Sequence, residues 1–388
     1  MSKTLIYFLA FLVKGWEVSL LLLLPFIQQQ LGITILQVGI LSMFLSLFYV
    51  LTALFAGHLS EKIGNKGVIG LSIACYGLAW VGISLGNYFP VLVVVYSLAG
   101  IGSGIFMPIA NSIIAQISDK ERGKELGNFS AIADLGRVFF SSSTAILFTV
   151  LGLFNLSLLF GLMTIVLIAL LFFFHLSSSK KNSETEQSVK QSVKIFLILK
   201  NKKYLLSVIT GIIDSFSSSS LYIFIPFLLL PKGIEITAAG FLTALFFLGY
   251  LLGRLLLGRL SDKHGVAKVL IISQVLMAVL IISLVIASNF YLVAAILFIL
   301  GIVTRGTSPI IRAMVGDSVE NKAAFGKAYS FYSFSVNSSS VGGRPLFGFI
   351  AGILGINAVF YFAGLVSLLV IIPIYLYNTA LPNKVSPS

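Results

Sequence analysis

Ten ionisable residues stand inside long apolar runs of this 388-residue chain, and they are the groups with chemistry to offer. They are Lys14, Glu17, Asp134, Arg137, Asp214, Arg254, Arg305, Arg312, Asp317 and Arg344. An ionisable residue at membrane depth costs about 2.5–3.5 kcal/mol on insertion scales, so each is a functional candidate by default. Lys14 and Glu17 are three residues apart, as are Asp134 and Arg137, and each pair shares a helix face. Arg305 and Arg312, seven apart, also share a face. A carboxylate beside a cation that moves between two conformations can take up and release a proton. Arginine forks suit carboxylates and phosphates. The alternative is a set of internal ion pairs that orient helices: Lys14 with Glu17 or Asp214, and Asp134 with Arg137. Arg254 and Asp317, near helix ends, fit that second role better.

The elements that carry these residues are membrane helices. Hydrophobic residues make up 58% of the chain and charged residues 10%, against about 25% charged in a soluble domain. Apolar runs long enough to span recur throughout, without the alternation of a barrel strand. The spacing predicts twelve spans, at 5–28, 35–57, 67–86, 90–117, 127–151, 155–176, 204–229, 237–258, 267–287, 290–316, 326–353 and 357–378. The first has no small-residue cleavage site after it and is expected to be retained. Lys14 then lies about 14 Å into its helix, near the middle of a core about 30 Å thick.

The net charge of +13 is not a nucleic-acid signature, because the basic residues sit in alternate loops. Lys62 and Lys66; Lys120, Arg122 and Lys124; Arg259, Lys263 and Lys268; and Lys322 and Lys327 follow even spans. Among the loops after odd spans only one carries a basic residue, Lys232. The positive-inside rule then places both termini in the cytoplasm of a multi-pass protein of the cytoplasmic membrane. The single cysteine, Cys75, allows no disulfide within the chain, and no metal-ligand spacing occurs. His58, His175 and His264 fall at cytoplasmic helix ends.

A Ser-, Lys- and Gln-rich stretch, 177–203, holds seven lysines and reads as a cytoplasmic linker with an amphipathic helix near Val193–Leu199. It divides the chain into halves of six spans, 1–176 and 204–388. The halves repeat. At a shift of 201 residues, fourteen of the 36 pairs from 31 to 66 are identical. Pro25 meets Pro226, Gly100 meets Gly301 and Pro108 meets Pro309; after a two-residue slip GNFSAIADLG meets GKAYSFYSFS. Six plus six spans in one orientation form a parallel repeat about an axis along the membrane normal, with a cavity between the halves near the midplane.

The repeat contains one motif twice. GHLSEKIG carries Gly57, Leu59, Ser60, Glu61, Lys62 and Gly64, followed by Lys66; GRLSDKHG carries Gly258, Leu260, Ser261, Asp262, Lys263 and Gly265, followed by Lys268. Both resemble the 2–3 and 8–9 loop signature of the major facilitator superfamily, and the resemblance covers nearly the whole chain. It implies an all-α integral membrane fold of two six-helix bundles, and transport by alternating access. It also implies that Glu61 and Asp262 act as acids of a cytoplasmic latch, with Lys62 and Lys263 as partners. The spans that carry Lys14, Glu17, Asp134, Arg137, Asp214, Arg305, Arg312 and Arg344 are among those that line the cavity in this family. Two family features are missing: an Arg in VVYSLAGIGSG of span 4, and a Gly-Pro element in DLGRVFFSSST of span 5. Both absences count against a drug–proton antiporter.

The expectation is a carrier of a small polar, anionic organic solute, driven by protons. No ATP-binding loop is present, no cofactor is expected, and no catalytic constellation suggests an enzyme. Partners would be the solute, protons and the bilayer, with the chain acting as a monomer. The serine runs Ser141–Ser143, Ser217–Ser220 and Ser338–Ser340 offer either hydroxyls for the solute or small surfaces for helix packing. The second hypothesis is efflux of amphipathic drugs through an aromatic cavity, with Phe106, Met107, Tyr222, Phe224, Phe331 and Tyr332 as candidates. A receptor on the same fold is a third, and it predicts no solute flux.

Overall fold

The computed structural model describes residues 3–85, 88–117, 122–173, 199–319 and 325–379. Lys120, His175, Lys322 and nearly all of the expected linker lie outside them. The described residues are helical throughout, without a strand. The helices are α1 (Lys3–Leu22), α2 (Leu24–Leu31), α3 (Ile35–Leu85), α4 (Phe89–Ile117), α5 (Arg122–Phe173), α6 (Lys202–Ser219) and α7 (Ile225–Leu229). They continue with α8 (Ile236–His264), α9 (Val266–Ile286), α10 (Phe290–Asp317), α11 (Phe325–Leu354), α12 (Ile356–Leu368) and α13 (Ile371–Thr379).

Nine helical stretches among the described residues are long and apolar enough to cross a membrane. Two of these, within α3 and α5, are broken by a glycine: Gly64 at φ 73° and Gly152 at φ 71°. α11 falls outside the nine, and its polar run Asn337–Ser340 with Arg344 explains why.

The repeat is visible in the backbone. The positive-φ residues of the described chain are six glycines in three pairs: Gly32 and Gly233, Gly64 and Gly265, Gly152 and Gly355. The first two pairs are 201 apart and the third 203, matching the two-residue slip in the sequence. Left-handed backbone is cheap only for glycine, so each pair fixes the same turn in both halves. Prolines do the same. Pro25 opens α2 and Pro226 opens α7, ending the preceding helix because each lacks an N–H and crowds the carbonyl four residues back. The expected continuous first and seventh spans are therefore broken, at Leu23 and near Ser220–Phe224.

Within a half, helices cross where glycine removes a side chain. A Cβ at Gly100 would stand 2.3 Å from the Leu45 carbonyl oxygen, and one at Gly301 2.0 Å from that of Phe246, its repeat equivalent. Gly249 and Gly253 press in the same way on the carbonyls of Phe298 and Ile302. Gly104, four residues after Gly100, presses likewise on the Tyr49 carbonyl, so both GxxxG elements are packing devices.

Lys232, the exception among the non-basic loops, has a structural task. Its ammonium donates to the carbonyls of Leu284, Val285 and Ala287 at 2.7, 2.8 and 2.6 Å, capping the C-terminus of α9. Lys232→Met should cost about 1.5–3 kcal/mol, the range for hydrogen bonds to a charged group. Thermal unfolding in detergent would show it.

Candidate functional site

Gly15 and Gly136 position the site. A Cβ on Gly136 would lie 2.1 Å from the Phe11 carbonyl oxygen, and one on Gly15 would enter the Phe140 ring. α1 and α5 can therefore cross closely. Counted at 1.5 Å per residue, Lys14 on α1, Asp134 on α5 and Asp214 on α6 all lie about 16–18 Å from the starts of their helices.

Lys14 and Glu17 meet at 2.6 Å. The same carboxylate oxygen accepts from the Ser103 hydroxyl at 2.7 Å, and Ser103 pairs with the Tyr76 hydroxyl at 2.6 Å. The Lys14 ammonium stands 5.4 Å from the centre of the Tyr49 ring. Lys14 therefore pairs with Glu17 and not with Asp214.

The second cluster joins the halves. Arg137 binds Asp134 through Nη1 and Oδ1. Arg254 approaches Oδ2 at 2.7 Å as an ion pair, without aiming an N–H at it. Arg254 takes the ion-pairing role expected of it, with Asp134 as the partner, across from α8 to α5. Tyr250 is the centre of the group. The guanidinium carbons of Arg137, Arg254 and Arg305 lie 5.5, 5.2 and 4.9 Å from its ring centre, and Arg305 Nε donates to its hydroxyl. Asp134 is only 1% exposed and is the one carboxylate in ion-pair contact with these arginines among the described residues. Tyr250 is the repeat equivalent of Tyr49, so Tyr49 lies under Lys14 as Tyr250 lies under the three arginines.

Asp214 stands apart from both clusters. Its Oδ1 accepts from Gln274 Nε2 at 2.6 Å and from Thr307 at 3.1 Å. Arg344 is buried at 5% exposure and donates from Nη1 to the Ser42 carbonyl at 2.6 Å, crossing from α11 to α3. Arg312 is exposed, and the Tyr329 hydroxyl donates to its carbonyl oxygen.

Two close backbone approaches between the halves lie on the side away from the basic loops. A Cβ on Gly39 would lie 2.7 Å from the Arg344 carbonyl oxygen, and one on Gly240 2.3 Å from the Ala145 Cβ. On that side Val18, Leu21, Leu22, Tyr222, Pro226 and Phe247 leave a void of about 10 Å³, no more than one water fills. On the basic side Leu54, Phe55 and Phe334 are exposed.

The two loop motifs are exposed as well. Glu61 lies 3.6 Å from His58, with no ion pair to Lys62. Asp262 and Lys263 make no ion pair with each other among the described residues. Gly57 and Gly258 have open space around them, and Gly64 and Gly265 supply the turns.

The serine runs are largely spent on their own helices. Ser141, Ser142, Ser143, Ser217, Ser218 and Ser339 donate to carbonyls three or four residues back. Phe106, Phe224 and Tyr332 are buried in the core, while Met107, Tyr222 and Phe331 keep partial exposure. Tyr250, Tyr49, Gln274 and Thr307 were not among the residues singled out from sequence.

A family model described as Major Facilitator Superfamily matches residues 4–231 and 207–388. The chain is similar to the multidrug resistance protein MdtG of Proteus mirabilis, 25% identical over 374 residues, covering 93% of this chain and 92% of that protein. The solved structure of a D-xylose–proton symporter superposes with a TM-score of 0.77 at 14% identity, covering 96% of each chain. That of the nucleoside transporter NupG gives 0.80 at 14% identity, over 97% of this chain and 99% of the other.

Proposed function

The chain belongs to the major facilitator superfamily, and we propose that within it the protein carries a small organic anion, driven by protons. The observation that supports this is the arginine group around Tyr250. Three guanidinium groups surround the ring and one carboxylate, Asp134, pairs with two of them, so the group keeps a surplus of positive charge at mid-depth. A carboxylate or phosphate on the solute fits planar guanidinium forks there. Arg312, further toward the basic side, would draw the anion in.

Twelve spans arise when the glycine-broken stretches are each counted as two and α11 is included. The halves are 1–176 and 204–388, joined by a cytoplasmic linker, with both termini in the cytoplasm of an inner membrane. On that topology the close glycine contacts between the halves lie on the outer side, which supports an outer-closed form. Glu61 and Asp262 are exposed, which fits latch acids in such a form. The chain acts as a monomer, without a cofactor and without catalysis.

The test is uptake into proteoliposomes under an imposed pH gradient, screening organic carboxylates and phosphates. Arg305→Lys keeps the charge and loses the fork, and should raise KM roughly tenfold, about 1.4 kcal/mol of binding. An unchanged KM would remove Arg305 from the anion site. A second reading, efflux of amphipathic drugs, is favoured by the similarity to a protein named for multidrug resistance. Drug resistance conferred by expression, with no flux of any organic anion, would select it.

A further inference from the structure

We infer that Asp214 is the group that carries the coupling proton, with the Gln274 amide turning to serve both of its protonation states; this rests on the proton-driven reading above. Three observations lead there. Asp214 is 6% exposed, Gln274 and Thr307 are 0% exposed, and the two hydrogen-bonding side chains that meet the carboxylate are neutral. Glu17 and Asp134, by contrast, are each held by a cation. Third, the Oε1 atom of Gln274 is buried with no hydrogen-bond partner, beside an Nε2 that donates to Asp214.

The amide group accounts for a two-state site. Its oxygen and nitrogen ends are nearly the same size, so half a turn keeps the packing. With Asp214 ionised, Nε2 donates to Oδ1, as observed. When hydronium delivers a proton, an O–H bond forms on Oδ1 and water departs. The acid is now a donor, and the turned amide presents Oε1 to accept it. In either orientation one end of the amide faces Asp214 and the other has no protein partner, so the turn forfeits no hydrogen bond. Thr307 can accept or donate, and it accommodates both states.

Other groups act on Asp214 at longer range. Arg305 on α10 and Tyr332 on α11 do so electrostatically, and neither is hydrogen-bonded to it. Arg305 belongs to the anion site around Tyr250. An anion seated there would screen the arginine and favour the protonated acid. Solute and proton would thus be bound together through one residue.

Infrared difference spectra of the purified full-length protein, stepped from alkaline to acid pH without solute, test the assignment. A protonated-carboxyl band should appear in wild type, vanish in Asp214→Asn and persist in Glu17→Gln. Gln274→Leu should shift that band in frequency, which a merely structural role would not do. A band retained in Asp214→Asn overturns the proposal. So does a carboxylate perturbation produced by sodium at fixed alkaline pH with no band on acidification. These spectra need no transport, so a titrating Asp214 in a protein that moves no anion would sink the function proposed above and leave this site standing.

Discussion

Asp134→Ala should be the most damaging single change at the centre of the molecule. It removes the carboxylate that, among the described residues, Arg137 and Arg254 contact, and leaves three guanidinium groups around the Tyr250 ring. Removing one partner of a buried ion pair typically costs about 3–5 kcal/mol, because the other charge stays behind without compensation. That is a large share of the roughly 5–15 kcal/mol that holds a domain folded. The expected result is a sharp fall in monodisperse protein on size exclusion in detergent. Asp134→Ala with Arg254→Leu removes a cation along with the anion and should recover most of the loss. The double-mutant cycle isolates the pair, since both residues are in contact. A single mutant that behaves like a surface substitution, within about 0.5 kcal/mol, would show that Asp134 does not hold the halves.

The same cluster shows how far a sequence can be read. Asp134–Arg137 and Lys14–Glu17 are each three residues apart on one helix, and both pairs form as spacing predicts. Local geometry was enough, because neighbouring turns of a helix leave little choice. Arg254 could not be placed that way. Its partner is on another helix of the other half, and only the packing of α8 on α5 brings them together.

Tyr250 and Gln274 were missed for a different reason. They carry no formal charge, so a search for costly residues passes over them. The repeat did hold a signal for the tyrosine: Tyr49 and Tyr250 are one of the fourteen identical pairs, at the depth of the charged residues. The repeat does not align the carboxylates, since Glu17 falls on Ser218 and Asp214 on Val13, yet each meets a hydroxyl of the same helix pair. Glu17 meets Ser103 in the first half, and Asp214 meets Thr307 in the second, one helical turn beyond the equivalent Thr304. The glycine and proline pairs were the most legible features. Positive φ, a missing N–H and a missing Cβ are backbone constraints that few other residues can meet.

Glu17→Gln and Lys14→Met should move transport in opposite directions at the binding step. The glutamine keeps an oxygen for the Ser103 hydroxyl and leaves the Lys14 ammonium without its counter-ion, 5.4 Å from the centre of the Tyr49 ring. A bound anion then becomes the best partner Lys14 has. The solute is held more tightly than the transition between states allows, so KM and kcat should both fall, each by roughly tenfold, about 1.4 kcal/mol. Lys14→Met removes the cation and leaves Glu17 facing the solute, so KM should rise by a similar factor. Rates of anion uptake at several concentrations, in proteoliposomes of equal protein content, give both constants. A pair that only orients helices would lower the amount of folded protein in both variants and leave KM where it was. The sign of the KM change separates an anion-binding lysine from a helix-orienting one.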